Sequence, residues 1–141
     1  MMAAGHRGAE AAAFERKVPA PATLAITVLT SMDAESLAAT GVSRALPEQV
    51  SALAVQAREA GLSGIVCSPQ EAKGMRELLG PEALIVTPGV RPAGSAKGDQ
   101  SRVATPAQAF ENGASHIVVG RPITQAEDPV AAFEAIAAEL A

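Results

Sequence analysis

The sequence predicts an α/β fold of four parallel strands with flanking helices, and three observations carry that expectation. Short β-branched runs alternate with helical patterns along the chain. The apolar residues are mainly Ala, Val, Leu and Ile, with three Phe and neither Trp nor Tyr, which suits helices packed on a buried parallel sheet. No linker or shift of composition divides the 141 residues, so a single domain is expected.

Taken in order, residues 1–14 are Ala-rich with scattered charges and read as a helix counting Met2, Ala13 and Phe14 among its apolar members. Pro19 and Pro21 prevent its continuation. Leu24 to Leu29 is a short β-branched run of the kind found in a buried strand. From Pro47 to Ala60, Val50, Leu53, Ala54 and Ala57 repeat at helical spacing, and Gly61 stops the helix. Gly64 to Cys67 reads as the second strand. Ser68 then offers a cap and Pro69 a first helical position, with Leu78, Leu79 and Gly80 closing that helix.

Ala83 to Thr87 is the third strand, and Pro88 to Ala104 the longest irregular stretch, placed where functional loops occur. Thr105-Pro106 opens another helix that ends near Asn112-Gly113, and His116 to Val119 is the fourth strand. The last helix runs from about Asp128 to Leu140, with Val130, Phe133, Ile136, Ala137 and Leu140 on one face. Strands alternating with helices imply parallel pairing through right-handed crossovers. Four such strands fit a small doubly wound sheet or half of an eight-stranded barrel. A complete barrel needs about 250 residues. A chain that opens in a helix, with no strand before it, reads as cut from something longer.

The net charge of −4 contains no basic block, which argues against nucleic acid or an anionic membrane as partner. A small anion needs only one local cation and some backbone N–H groups. Cys67 is the only cysteine, which rules out an internal disulfide and fits a reducing compartment. No apolar run approaches the roughly 20 residues that span a bilayer, and the first residues lack the apolar core of a signal peptide. A cytoplasmic protein is the expectation.

Three strand ends carry candidate chemistry. Thr30 and Ser31 follow directly on the first strand, where Ser31 or Asp33 would also serve as the cap of a short helix near Glu35. Arg91 sits in Thr87-Pro88-Gly89-Val90-Arg91-Pro92, followed by Gly98-Asp99-Gln100; alone, Arg91 reads as a solvated loop charge. The fourth strand runs into Gly120-Arg121-Pro122, where Pro122 would open a short helix. Backbone N–H groups at a helix start together with a guanidinium suit a phosphate dianion. The competing reading of Arg121 is a salt bridge that closes a barrel. Cys67 has no histidine nearby in sequence and reads as a small buried apolar residue. His6 and His116 stand far apart, no metal-ligand spacing occurs, and no nucleotide-binding glycine motif is present.

Together, Leu29-Thr30-Ser31-Met32-Asp33, Gly61 to Ser68, Thr87 to Pro92, Gly98-Asp99-Gln100 and Gly120 to Thr124 resemble the bacterial orotidine 5′-phosphate decarboxylases, from about Leu24 to the C-terminus. The resemblance implies the C-terminal half of a TIM (β/α)8 barrel, strands five to eight. It implies orotidine 5′-phosphate and uridine 5′-phosphate as ligands, a homodimer, and neither metal nor organic cofactor. Thr30 would contact the substrate, and Arg91 and Gln100 would lie over phosphate and pyrimidine. The Gly120 N–H and the Arg121 side chain would hold the 5′-phosphate. A sugar-phosphate enzyme of a related barrel is the alternative, disfavoured by Asp99-Gln100. A non-catalytic phosphate-binding half-barrel is the other.

The chain departs from the family in one respect. The decarboxylase requires an Asp-x-Lys-x-x-Asp array, and Lys17, Lys73 and Lys97 all lie outside such a pattern. The expectation is therefore a chain that carries the grip without the chemistry. A half-barrel with two open strand edges is also expected to dimerise, aggregate or be marginally stable.

Overall fold

In a computed structural model of the chain, residues 1–92 and 102–140 are described. The elements are α1 (Met2–Arg16), β1 (Leu24–Ile26), α2 (Ala34–Ala39), α3 (Leu46–Glu59), β2 (Gly64–Val66), α4 (Ala72–Leu79), β3 (Leu84–Thr87), α5 (Pro106–Glu111), β4 (His116–Ile117), α6 (Arg121–Thr124) and α7 (Pro129–Glu139). The four strands form one parallel sheet in the order β1-β2-β3-β4. A doubly wound sheet reverses its strand order at a switch point, whereas a barrel adds each strand beside the last. The sequential order therefore decides for the half-barrel.

Among the described residues, helices cover only one face of that sheet. Ala25, Ile65 and Ile85 lie in register across three strands, all buried. They pack with Val50, Ala54 and Ala57 of α3 and with Ala72 and Met75 of α4. The next row in register, Ile26, Val66, Val86 and His116, points to the other face. That face is open: Ile26 is 62% and Val118 50% exposed. Both side chains would lie in the lumen of a closed barrel. Gly64 is required by strand spacing, since a Cβ there would fall 1.9 Å from the Leu84 carbonyl oxygen.

Local chemistry explains most boundaries. Asp33 caps α2 through the Ser36 N–H at 2.9 Å, so it does the capping rather than Ser31. Thr105 and Gln108 form a capping box on α5. Gly61, at φ +82, reverses the chain after α3, with the Leu62 N–H bonded to the Ala57 carbonyl at 3.1 Å. α1 docks through His6, whose Nδ1 lies 2.8 Å from Thr23 Oγ1.

Four expectations need correction. Ser68 and Pro69 do not start a helix: residues 68–71 form a turn, and Glu71 reaches back to the Ser68 N–H at 2.9 Å. Pro122 takes the second position of α6 rather than the first. β1 and β4 are shorter than the apolar runs that announce them. The apolar face of α7 is mostly uncovered, with Val130 at 66% and Phe133 at 60% exposure and only Ile136 buried. In a barrel the last helix also packs toward the first strand, which lies outside a four-strand half.

Candidate phosphate-binding cleft

The C-terminal ends of β3 and β4 enclose a cleft of about 140 Å³ lined by Pro88, Gly89, Val90, Arg91, Val118, Gly120, Arg121 and Pro122. Two cations thus meet at one strand edge although they lie far apart in sequence. Gly89, at φ +78, makes the turn that brings the chain back after β3. The turn is then fixed by a bridge between Val90 and Ala104, with the Arg91 N–H donating to the Ala104 carbonyl at 2.9 Å. At the other wall, Gly120 leads into α6, and the Ile123 and Thr124 N–H groups close that turn on the Gly120 carbonyl.

Arg91 is 9% exposed, and its buried Nε has no hydrogen-bond partner among the described residues. The solvated loop charge expected of Arg91 alone is therefore wrong, because the Val90–Ala104 bridge draws it inward. A buried guanidinium donor without an acceptor costs free energy that an anion would offset. Gly120 and Arg121 line the same cleft. Thr30 is buried after β1, on the same end of the sheet but outside this cleft. Gln100 lies outside the described residues.

Behind the cleft lies a constellation that the sequence reading missed. Arg102 forms an ion pair with Glu71, both largely buried, and its Nη2 donates to the Leu29 carbonyl at 2.8 Å. Burial lowers the Arg102 pKa from its ordinary value, while nearby Cys67 acts the other way. Cys67 itself is 1% exposed, and burial pushes its thiol up to about 12. A neutral, enclosed thiol is no nucleophile at ordinary pH, in keeping with its reading as a packing residue. Among the described residues, no group of three or more His, Cys, Asp or Glu could hold a metal ion, and no helix is long and apolar enough to cross a membrane.

Fold and cleft together define half of a parallel (β/α)8 barrel that presents two arginines at the C-terminal ends of its last two strands. Barrels frequently bind phosphate there. The chain belongs to the family described as orotidine 5′-phosphate decarboxylase / HUMPS, whose model matches residues 1–136. It is 60% identical over 132 residues to orotidine 5′-phosphate decarboxylase of Moorella thermoacetica, covering 93% of this chain and 52% of that protein. The enzyme of the same name from Nitrosococcus oceani is 52% identical over 120 residues, covering 85% of this chain and 52% of the relative. The crystal structure of orotidine 5′-phosphate decarboxylase from Lactobacillus acidophilus superposes with a TM-score of 0.79 at 40% identity, over 99% of this chain and 57% of that one. The chain thus spans about half the length of the relatives it matches.

Proposed function

We propose that this chain is the phosphate-gripping, C-terminal portion of a cytoplasmic orotidine 5′-phosphate decarboxylase, which converts orotidine 5′-phosphate to uridine 5′-phosphate and carbon dioxide. The observation that carries the reading is that Arg91, whose buried Nε has no partner among the described residues, lines one cleft with Gly120 and Arg121. Family membership supplies the substrate. The Arg121 guanidinium and the Gly120 N–H hold the 5′-phosphate, and Arg91 closes on it from the β3 side. Gln100 reads the pyrimidine, and Thr30 contacts the substrate from the end of β1. Binding energy at a phosphate remote from the reacting carbon is the kind a decarboxylase can spend in the transition state.

On its own the chain binds and does not turn over, because Lys17, Lys73 and Lys97 stand outside the Asp-x-Lys-x-x-Asp pattern. The assembly is a homodimer, in keeping with the open sheet face and the exposed Ile26 and Val118. Thermal unfolding with and without uridine 5′-phosphate tests the grip. The nucleotide should raise the midpoint of the wild-type chain and leave Arg121→Ala unmoved. Equal protection of both would refute the assignment. Carbon dioxide release by the chain alone would overturn the division between grip and chemistry.

A further inference from the structure

Segment 102–104 runs across the ends of three strands, and every residue in it is tied down. At β1, Arg102 Nη2 donates to the Leu29 carbonyl at 2.8 Å, next to Thr30. At β2, Arg102 pairs with Glu71, the Ser68 Oγ donates to the Arg102 carbonyl at 3.4 Å, and Gln70 Nε2 reaches the Val103 carbonyl at 3.5 Å. At β3, the Ala104 carbonyl accepts the Arg91 N–H at 2.9 Å. Glu71 uses its second oxygen on the Ser68 N–H at 2.9 Å, so its carboxylate faces Arg102 in a fixed orientation. A buried ion pair is weak evidence for stability, because desolvation offsets much of its attraction. Its better-attested use is to select one arrangement among several. This pair stands at the C-terminal ends of the strands, where barrels carry function.

We propose that Arg102, oriented by Glu71, is a positioning residue: it fixes segment 102–104 against the ends of β1 and β2, and so sets the backbone from which Arg91 enters the cleft. The proposal rests on the reading of that cleft as the phosphate site. Arg102 itself does not line the cleft, so it acts on a ligand only through Arg91.

Amide hydrogen exchange on the full chain tests the mechanical part without any ligand. In Glu71→Gln and in Arg102→Met, the protection of the Arg91 N–H should fall about tenfold or more beyond any loss at Ile65 and Ile85, since the local pair is what is broken. Arg102→Lys, which keeps the charge and loses the fork, should give an intermediate value. Unchanged Arg91 protection, or a loss shared equally with Ile65 and Ile85, overturns the proposal. The ligand arm compares uridine 5′-phosphate affinity well below the unfolding midpoint. Glu71→Gln should weaken it, whereas a variant with altered Arg91 exchange and unaltered affinity overturns the link from Arg102 to the ligand. Failure of the wild-type chain to bind the nucleotide refutes the phosphate site and with it that link, while the exchange result still decides whether Arg102 sets the Arg91 backbone.

Discussion

Arg76 and Arg91 occupy opposite ends of the sheet and use their guanidinium groups in opposite ways. Arg76, on α4, lies below the N-terminal ends of β3 and β4. Its Nη1 donates to the carbonyls of Gly80, Pro81 and Ala83 at 2.8 to 2.9 Å, and its Nε to that of Gly113 at 3.1 Å. These contacts lock together the loops that enter the two strands. Arg91, where the chain leaves β3, is more deeply buried than a loop charge should be and keeps a donor without an acceptor among the described residues. A guanidinium whose donors reach backbone carbonyls is part of the architecture. Arg91 joins such an unspent donor to a place on the cleft wall, where an anion would complete it. On the proposed reading, the two ends of the half-barrel divide stability from binding, as they do in whole barrels.

Substitutions test whether the two ends differ in this way, and the largest effect is expected at the N-terminal end. Gly64→Ala drives a methyl into the Leu84 carbonyl and should destabilise the chain by about 3 kcal/mol, measured as a drop in the urea midpoint. Next comes Arg76→Met, which leaves four carbonyls with water or nothing and should cost about 2 kcal/mol. Nucleotide protection should survive in that variant wherever the protein is still folded. The same change at the other end should not destabilise. Arg91→Met removes a buried unsatisfied donor and should leave stability unchanged or raise it by about 1 kcal/mol, while abolishing protection by uridine 5′-phosphate. A large loss of stability in Arg91→Met would place both arginines in the same structural role and erase the distinction.

The parts of this division legible in the sequence are those set by neighbours in sequence. Thr105 with Gln108 and Gly61 after α3 act within a few residues, so their types reveal their roles. The strand runs were also legible, because residues buried on the sheet give continuous apolar stretches. The turn at Gly120, Arg121 and Pro122 was legible too, because those residue types shape it locally. Contacts made between distant segments were not. Arg102 meets the Leu29 carbonyl 73 positions away, and nothing about an arginine in a loop announces such a partner. Ser68 misled because a serine before a proline resembles a helix start, whereas Glu71 takes the Ser68 N–H and delays α4 to Ala72. The face of α7 misled for another reason: its periodicity reports a surface to be covered, and within this chain most of that surface has no cover.

One effect that vanishes at neutral pH concerns Cys67, at the end of β2 between the buried core and Arg102. Burial raises its thiol from 9.0 to about 12 in the folded chain, with Arg102 pulling weakly the other way. A folded state that keeps its proton while the unfolded chain loses it is favoured at low pH. Between pH 9.0 and about 12 the unfolded thiol is ionised and the folded one is not, so folding must take up a proton. Stability should therefore be independent of this group below pH 9 and fall as pH rises through that window. Cys67→Ala should remove this component of the decline, seen as a shallower dependence of the urea midpoint on pH. The wild-type thiol should also resist alkylation at pH 8 until the chain unfolds. Rapid modification of the folded chain would mean that the C-terminal end of β2 opens readily. The clamp of Arg102 and Glu71 over that end would then be weaker than the Arg76 lock at the other.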